Sequence, residues 1–387
     1  MSVNQVKGVI AEVFEEIADA LQTGSFSKKI RVGLTILGSE HGPQELVWGA
    51  ELAQKQNPDL EVVLIGSGAE TFLEIVTAKD EKEAHAKMDE MLLNGTLDAA
   101  VTMHYSFPIG ISTVGKVITP AKGREMFLAT TTGTSATERV SAMVKNTVYG
   151  IAAAKACGKT NPTVGILNID GARQVERALV KLKEGGYPVN LVESLRADGG
   201  VVMRGNDLLM GVPDIMVLDS LTGNVLMKVF SSYSTGGGFE SLGFGYGPGV
   251  GENYDRIICI ISRASGAPVI AGAIRYAGDC AKGKLLEKIK DEFTLAKQAG
   301  LESILKSYCF SPEKKAGDSE EVSPPPKKPV TDSIPGVEVT ELEDAVAVLW
   351  KAGIYAESGM GCTGPIVMVA PEDKEKASGL LKQNGYL

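Results

Sequence analysis

Hydrophobic residues recur along this chain in two alternating patterns. Short apolar runs stop at Gly, Ser, Thr or Asn clusters, and between them lie segments with apolar residues at helical spacing. The runs at 30–37, 60–65, 98–103, 126–130, 164–169 and 213–218 predict strands. Residues 43–54 and the alanine-rich 140–156 predict helices, and a long helical segment is expected from 280 to about 305. Ahead of the first strand, Ile10, Val13, Phe14, Ile17 and Leu21 form the apolar side of an amphipathic helix. Strands alternating with helices argue for an α/β fold with a largely parallel sheet. Ligands of such sheets bind beyond the carboxyl ends of the strands, so residues there carry most weight.

Two stretches break the pattern. Residues 235–251 are too rich in glycine for regular structure and read as a lid over a site or as a loop against a partner. At 311–335 charge and proline replace apolar residues, as in a semi-stiff linker. This divides the chain into a body at 1–310, the linker, and a small module at 336–387. The module has its own plan of helix, strand and helix. Thr340 and Glu343 form a capping box before the apolar face of Leu342, Ala345, Val346 and Leu349. A strand is expected at 366–370 and a charged helix at 372–383. So small a unit must dock to bury its apolar side.

Composition narrows the class. A net charge of -9 argues against nucleic acid as a general partner, although local loops can still bind an anion. The five cysteines are dispersed without a CxxC pair, which fits a reducing compartment. No run reaches the length of a membrane span, and the start lacks a signal-peptide pattern, so a cytoplasmic protein is expected.

Cys362 lies in Ser358-Gly359-Met360-Gly361-Cys362-Thr363-Gly364-Pro365, which the glycines and proline mark as an irregular turn. Either the thiol meets a substrate there while the amides of Gly361, Thr363 and Gly364 cradle an oxyanion, or it packs beneath a tight turn. After the first strand, Ser39 and His41 precede a helix opened by Pro43, a place suited to phosphate. Thr132 and Thr134 offer hydroxyls after a later strand, for an anion or simply as helix caps. After the strand at 213–218 come Thr222, Gly223 and Asn224, with Lys228 one turn on as a positive charge. His85 reads as a solvated helix residue and His104 as a packed one, while Cys157 and Cys259 read as buried filler. No histidine pair has ligand spacing, so no metal is expected, and neither a dinucleotide fingerprint nor a P-loop is present.

The segments at 163–169 and 214–228, above all Thr222-Gly223-Asn224, resemble the fatty acid/phospholipid synthesis phosphate acyltransferase family. That family makes acyl phosphates from acyl thioesters and inorganic phosphate. The resemblance implies a three-layer α/β/α body of the isocitrate/isopropylmalate dehydrogenase type. The glycine stretch, the linker and the cysteine module depart from that family. With them, the whole chain is similar to the alpha subunits of component C of the glycine/sarcosine/betaine reductase complex. This similarity implies a role in anaerobic amino-acid fermentation, with a component C beta subunit and selenoprotein A as partners in a hetero-oligomer. It implies that Cys362 matches the acetyl-bearing cysteine, and that acetyl phosphate is released with inorganic phosphate as substrate and no cofactor. Two other readings stay open: a free-standing phosphate acyltransferase, and a non-catalytic organising subunit.

Overall fold

The computed structural model describes residues 14, 17–18, 21, 29–195, 200–307, 322–335, 337, 342–361, 364–384 and 386–387. The body opens with β1 (Ile30–Thr35), α1 (Pro43–Gln56), β2 (Leu60–Gly66), β3 (Glu74–Thr77), α2 (Glu81–Leu93) and β4 (Ala99–Met103). It continues through β5 (Ser112–Ile118), β6 (Glu125–Gly133), α3 (Arg139–Ala156), β7 (Thr163–Leu167), α4 (Ala172–Glu184), β8 (Asn190–Leu191) and β9 (Val202–Met203). Then come α5 (Gly205–Met210), β10 (Ile215–Val217), α6 (Ser220–Ser232), β11 (Gly247–Val250) and β12 (Ile258–Ile261). Helices α7 (Ala267–Lys282), α8 (Leu285–Gln298) and α9 (Leu301–Lys306) close the body.

The strands form one sheet in the order β3-β2-β1-β4-β12-β11-β5-β6-β10-β7-β8, with β9 also paired to β7. Strands β3, β2, β1, β4 and β12 are mutually parallel. So are β6, β10, β7 and β8. Between these groups the pairs β12–β11, β11–β5 and β5–β6 are all antiparallel. Three successive reversals point the two parallel halves in opposite directions. Their carboxyl ends therefore lie at opposite edges of the sheet, and the loops weighted by sequence fall into two groups.

Alternate residues of the buried strands feed two cores, as the period of two requires. In β2, Val62 and Leu64 join Leu46 of α1, Val148 of α3, Ile270 of α7 and Phe293 of α8 on one face. Val63 and Ile65 join Met88 of α2, Leu208 of α5, and Met227 and Phe230 of α6 on the other. The α/β/α layering expected from sequence is thus present.

Three expectations change. The glycine-rich stretch contains β11, a buried strand at the centre of the sheet, instead of being irregular throughout. Its glycines are needed for close approach: a Cβ on Gly247, which has φ 86°, would sit 1.7 Å from the Val114 carbonyl oxygen. The helical segment from 280 to 305 is three helices, broken where Lys284 (φ 55°) and Gly300 (φ 92°) turn left-handed. Of the N-terminal helix, Phe14, Ile17 and Leu21 are helical and exposed, while Ile10 and Val13 lie outside the described residues.

The module consists of β13 (Asp332–Pro335), α10 (Leu342–Lys351), β14 (Ala356–Gly361), β15 (Gly364–Val369) and α11 (Lys374–Gln383). Its sheet runs β13-β15-β14, all antiparallel, so the last residues assigned to the linker are an edge strand. Leu342, Ala345, Val346 and Leu349 face Ile334, Val367, Val369, Ala377 and Leu381 in a separate small core. Glu343 accepts a hydrogen bond from the Ser358 hydroxyl at 2.8 Å, and Thr340 lies outside the described residues. Instead of an irregular turn, residues 357–361 are strand, because glycine without positive φ extends as any residue does.

Candidate anion cavity and the cysteine hairpin

Strands β1, β4 and β12 end at one edge of the sheet, and α6, running back from the far edge, brings its middle to the same place. A cavity of about 230 Å³ forms there, lined by Glu40, His104, Asn224, Lys228, Ser262 and Arg263 over a floor of Tyr246, Ile260 and Ile261. The loop after β1 is stitched to the loop after β12: the Glu40 amide donates to the Arg263 carbonyl at 3.0 Å. Asn224 and Lys228 reach the cavity together because they are four residues apart on one helix face. His104 holds a left-handed backbone at φ 49°, uncommon outside glycine and frequent at functional positions. Burial, followed by the Arg263 charge, pushes its imidazole below the ordinary histidine range and so favours its neutral form. The lining thus pairs two cations, Lys228 and Arg263, with one carboxylate, Glu40.

Behind the wall lies Glu240, a buried carboxyl that the sequence analysis missed. It accepts hydrogen bonds from Ser265 Oγ at 3.1 Å and from the Tyr246 hydroxyl at 3.4 Å. Burial raises its pKa against the opposing pull of Ser265, Ser262, Tyr246 and the Lys228 charge. Its one signal in sequence is a lone acid within a glycine run. Because the folded form holds this proton more tightly than the unfolded chain, stability falls as pH rises through the range just above ordinary carboxylate values. Glu240→Gln is expected to flatten that part of the stability profile, which denaturant titrations from pH 4 to 8 would measure.

The predicted residues divide between the two edges. Ser39 and His41 stand near the cavity but turn away from it. The Ser39 hydroxyl accepts from the His41 amide at 3.1 Å and donates to the Arg263 carbonyl at 3.5 Å. His41 is exposed and packs edge-on against Phe239 with ring centroids 5.1 Å apart. Gly223 serves packing: a Cβ there would lie 1.8 Å from the Thr130 carbonyl oxygen, so α6 sits close on β6. Gly223→Ala is expected to cost about 1–3 kcal/mol from overpacking, despite alanine's better helix propensity. Urea unfolding would read that loss.

Thr134 lies at the opposite edge, in a second cavity shared with Thr130, Thr137, Arg139, Asn146, Asp219 and Ser220. Its hydroxyl donates to the Ala136 carbonyl at 2.6 Å, and the Thr132 carbonyl accepts the Thr130 hydroxyl at 3.2 Å. The Thr222 hydroxyl donates to Asp219 Oδ2 at 2.8 Å and its amide to Oδ1 at 3.0 Å. Glu138 takes the amides of Val140 and Ser141 at the start of α3, and Arg139 pairs with Asp219 at 2.9 Å. Protein carboxylates thus already cap the N-termini of α3 and α6 at this edge, and the hydroxyls named are mostly spent within their own turns. His85 is also corrected: its Nε2 lies 2.9 Å from Thr102 Oγ1, half-buried against the sheet.

Cys362 and Thr363 lie outside the described residues. The ladder of β14 and β15 pairs the residues on either side of them, Gly361 with Gly364. This hairpin joins the body by an antiparallel bridge between Met360 and Phe107, with the Met360 amide donating to the Phe107 carbonyl at 2.9 Å. Beside the bridge, Ile109 packs on the module's core. An antiparallel bridge means that β14, continuing past Met360, heads back along the body chain from Phe107 toward His104. Those two positions are three steps apart along the chain, about 10 Å if extended. Elsewhere, burial pushes the Cys259 and Cys280 thiols up, as expected of packing residues, and Cys157 is half-buried. Among the described residues no cluster of three or more potential ligands could hold a metal ion, and no helix is long and apolar enough to cross a membrane.

A family model described as fatty acid synthesis protein matches residues 30–368. The chain is 59% identical over 384 residues to a glycine/sarcosine/betaine reductase complex component C subunit alpha from Peptoclostridium acidaminophilum, covering 99% of this chain and all of that one. It is 26% identical over 241 residues to a phosphate acyltransferase from Geobacillus thermodenitrificans, covering 51% of this chain and 70% of the relative. Among solved structures, 4-hydroxythreonine-4-phosphate dehydrogenase from Klebsiella pneumoniae is similar at a TM-score of 0.39 and 12% identity, over 66% of this chain and 98% of that one. The family match over most of the chain and the end-to-end identity lead to one assignment: the chain belongs to the component C alpha subunits of glycine/sarcosine/betaine reductases, within the wider fatty acid synthesis protein family.

Proposed function

We propose that this chain is the acyl-transfer subunit of such a complex, in which Cys362 carries an acetyl group and the body's cationic cavity delivers phosphate to it. The acetyl group derives from the carboxymethyl group held by the selenocysteine of selenoprotein A, by a two-electron reductive cleavage of the carbon–selenium bond. The reductase complex supplies the electrons, and one carboxylate oxygen leaves as water. A component C beta subunit completes the assembly. A phosphate oxygen attacks the thioester carbonyl, the carbon–sulfur bond breaks, and acetyl phosphate leaves with Cys362 as thiolate. The thioester is already activated, so the step needs no ATP and no cofactor.

The observation that supports this reading is the antiparallel Met360–Phe107 bridge, because it sets the strand before Cys362 against the segment that leads back to His104, one of the residues lining the cavity. Lys228 and Arg263 suit a phosphate dianion, Asn224 and Ser262 can orient it, and His104 stands in the same lining with its imidazole biased toward the neutral form. The amides of Gly361, Thr363 and Gly364 are the donors proposed for the thioester oxyanion. Peptide mass spectrometry after incubation with the acyl donor tests the reading. Acetyl on Cys362 that phosphate removes supports it. Acetyl phosphate formed without any adduct would instead favour direct transfer from a carrier thioester, as in a free-standing phosphate acyltransferase.

A further inference from the structure

Glu240 is only 5% exposed, and the phosphorolysis proposed for Cys362 does not involve it. A buried carboxyl is unfavourable unless it is well partnered. Here both its backbone and its side chain are tied to one loop. The Glu240 amide donates to the Ala264 carbonyl at 3.0 Å, and its carbonyl accepts from the Gly266 amide at 2.8 Å, making a parallel bridge with Ser265. Its carboxylate accepts from the Ser265 hydroxyl at 3.1 Å. The Ser265 oxygen in turn accepts from the Ser262 amide, and the Ser262 oxygen from the Ala264 amide, each at 3.1 Å. The loop held in this way is the one that brings Ser262 and Arg263 to the cavity.

The same carboxyl reaches two other parts of the cavity. Its second oxygen accepts from the hydroxyl of Tyr246, which forms part of the floor. Lys228 of α6, a lining cation, acts on it through its charge. One side chain behind the wall is thus linked to α6, to the turn into β11 and to the loop after β12. The Glu40 amide donates to the Arg263 carbonyl of that loop, so a shift of the loop moves the cavity's acid and its cation together.

Stability alone does not call for this arrangement, because an apolar side chain of similar volume could fill the space without desolvating a carboxyl. An apolar side chain cannot fix direction. Hydrogen bonds do, and here they run from Glu240 through the Ser265 hydroxyl to the Ser262 amide, where the loop turns. We propose, on the reading of this cavity as the phosphate site, that Glu240 is a positioning residue, holding the loop at 262–266 so that Ser262 and Arg263 converge with Lys228 on one anion.

Titration of the full chain with inorganic phosphate at fixed ionic strength, followed by ³¹P line broadening, tests this role. Glu240→Ala is expected to weaken phosphate binding at least about 10-fold, since a displacement of about 1 Å in a preorganised site can cost up to about 100-fold. Glu240→Gln keeps an oxygen for the Ser265 hydroxyl and is expected to stay within about threefold of the parent. If Glu240→Ala fails to fold, Ser265→Ala removes the same contact from the loop's side and is expected to show the same loss. Lys228→Ala reports on the cavity itself. Weaker binding in Lys228→Ala, with none in Glu240→Ala or Ser265→Ala, would overturn the positioning role and leave the phosphate reading standing. A loss in Glu240→Gln as large as in Glu240→Ala would also overturn it, because the charge and not the contact would then matter. Unchanged binding in Lys228→Ala would overturn the phosphate reading and the role of Glu240 with it.

Discussion

Cys362→Ser is expected to lower acetyl phosphate formation by at least about 10³-fold, the scale seen when a covalent nucleophile is removed. A serine hydroxyl is a poor nucleophile without a base, and its ester is a poor acyl donor to phosphate. An unperturbed thiol is only a few per cent ionised at pH 7, so the proposed role requires neighbouring groups to favour its thiolate. The substitution touches no described ladder contact: the β14–β15 pairing runs complete to Gly361 and Gly364. Melting is therefore expected to be unchanged, and trapping acetyl phosphate as its hydroxamate would measure the loss. Cys259→Ser provides the control, because that thiol is fully buried and kept protonated. Retained turnover in Cys362→Ser would show that the thiol is not the acyl carrier.

Much of the body was legible because its strands are apolar runs with clear ends. The predicted strand cores match β1, β2, β4, β7 and β10 to within a few residues, and the apolar face of α10 came out as read. β11 was not legible, because three of the periodicity's cues vanish in Gly247-Pro248-Gly249: there is no branched residue, no alternation and no bulk. What admits it to the sheet is the need for a bare backbone beside Val114 and Phe107. Missing β5, β11 and β12 also hid the reversal of the sheet, which three antiparallel pairings produce and local sequence does not encode. Loops that look equivalent as strand ends are consequently separated, with Lys228 at one edge and Thr134 at the other.

The reversal also explains why Lys228 and Thr222, six residues apart, have different surroundings. The start of α6 belongs to the edge where β10 ends, and there the Asp219 carboxylate takes the Thr222 amide as an N-cap. A turn and a half later the helix has crossed toward the edge where β4 and β12 end. The Thr222-Gly223-Asn224 segment is thus partly a cap, partly a packing contact and partly a cavity wall. Its glycine is required by the close approach of the Thr130 carbonyl.

Lys228→Ala and Arg263→Ala are each expected to raise the KM for phosphate about 10- to 100-fold, the scale of a charge-assisted hydrogen bond worth ~1.5–3 kcal/mol. Both groups would hold one anion, so the double variant is expected to lose less than the product of the single effects. Acetylation of Cys362 by the donor does not involve phosphate and is expected to survive in all three variants. That separation distinguishes an anion site from a general loss of folding, which would reduce both half-reactions. Glu40 supplies an opposite check. Among the described residues it is the one carboxylate lining the cavity, so Glu40→Gln removes a repulsion and is expected to lower the KM for phosphate. Steady-state kinetics at fixed ionic strength, with Cys362 acetylation followed in parallel by mass spectrometry, would measure both signs. If phosphate saturation is unchanged in Lys228→Ala and Arg263→Ala, the anion binds elsewhere, and the Thr134–Asp219 cavity at the opposite edge is the next place to test.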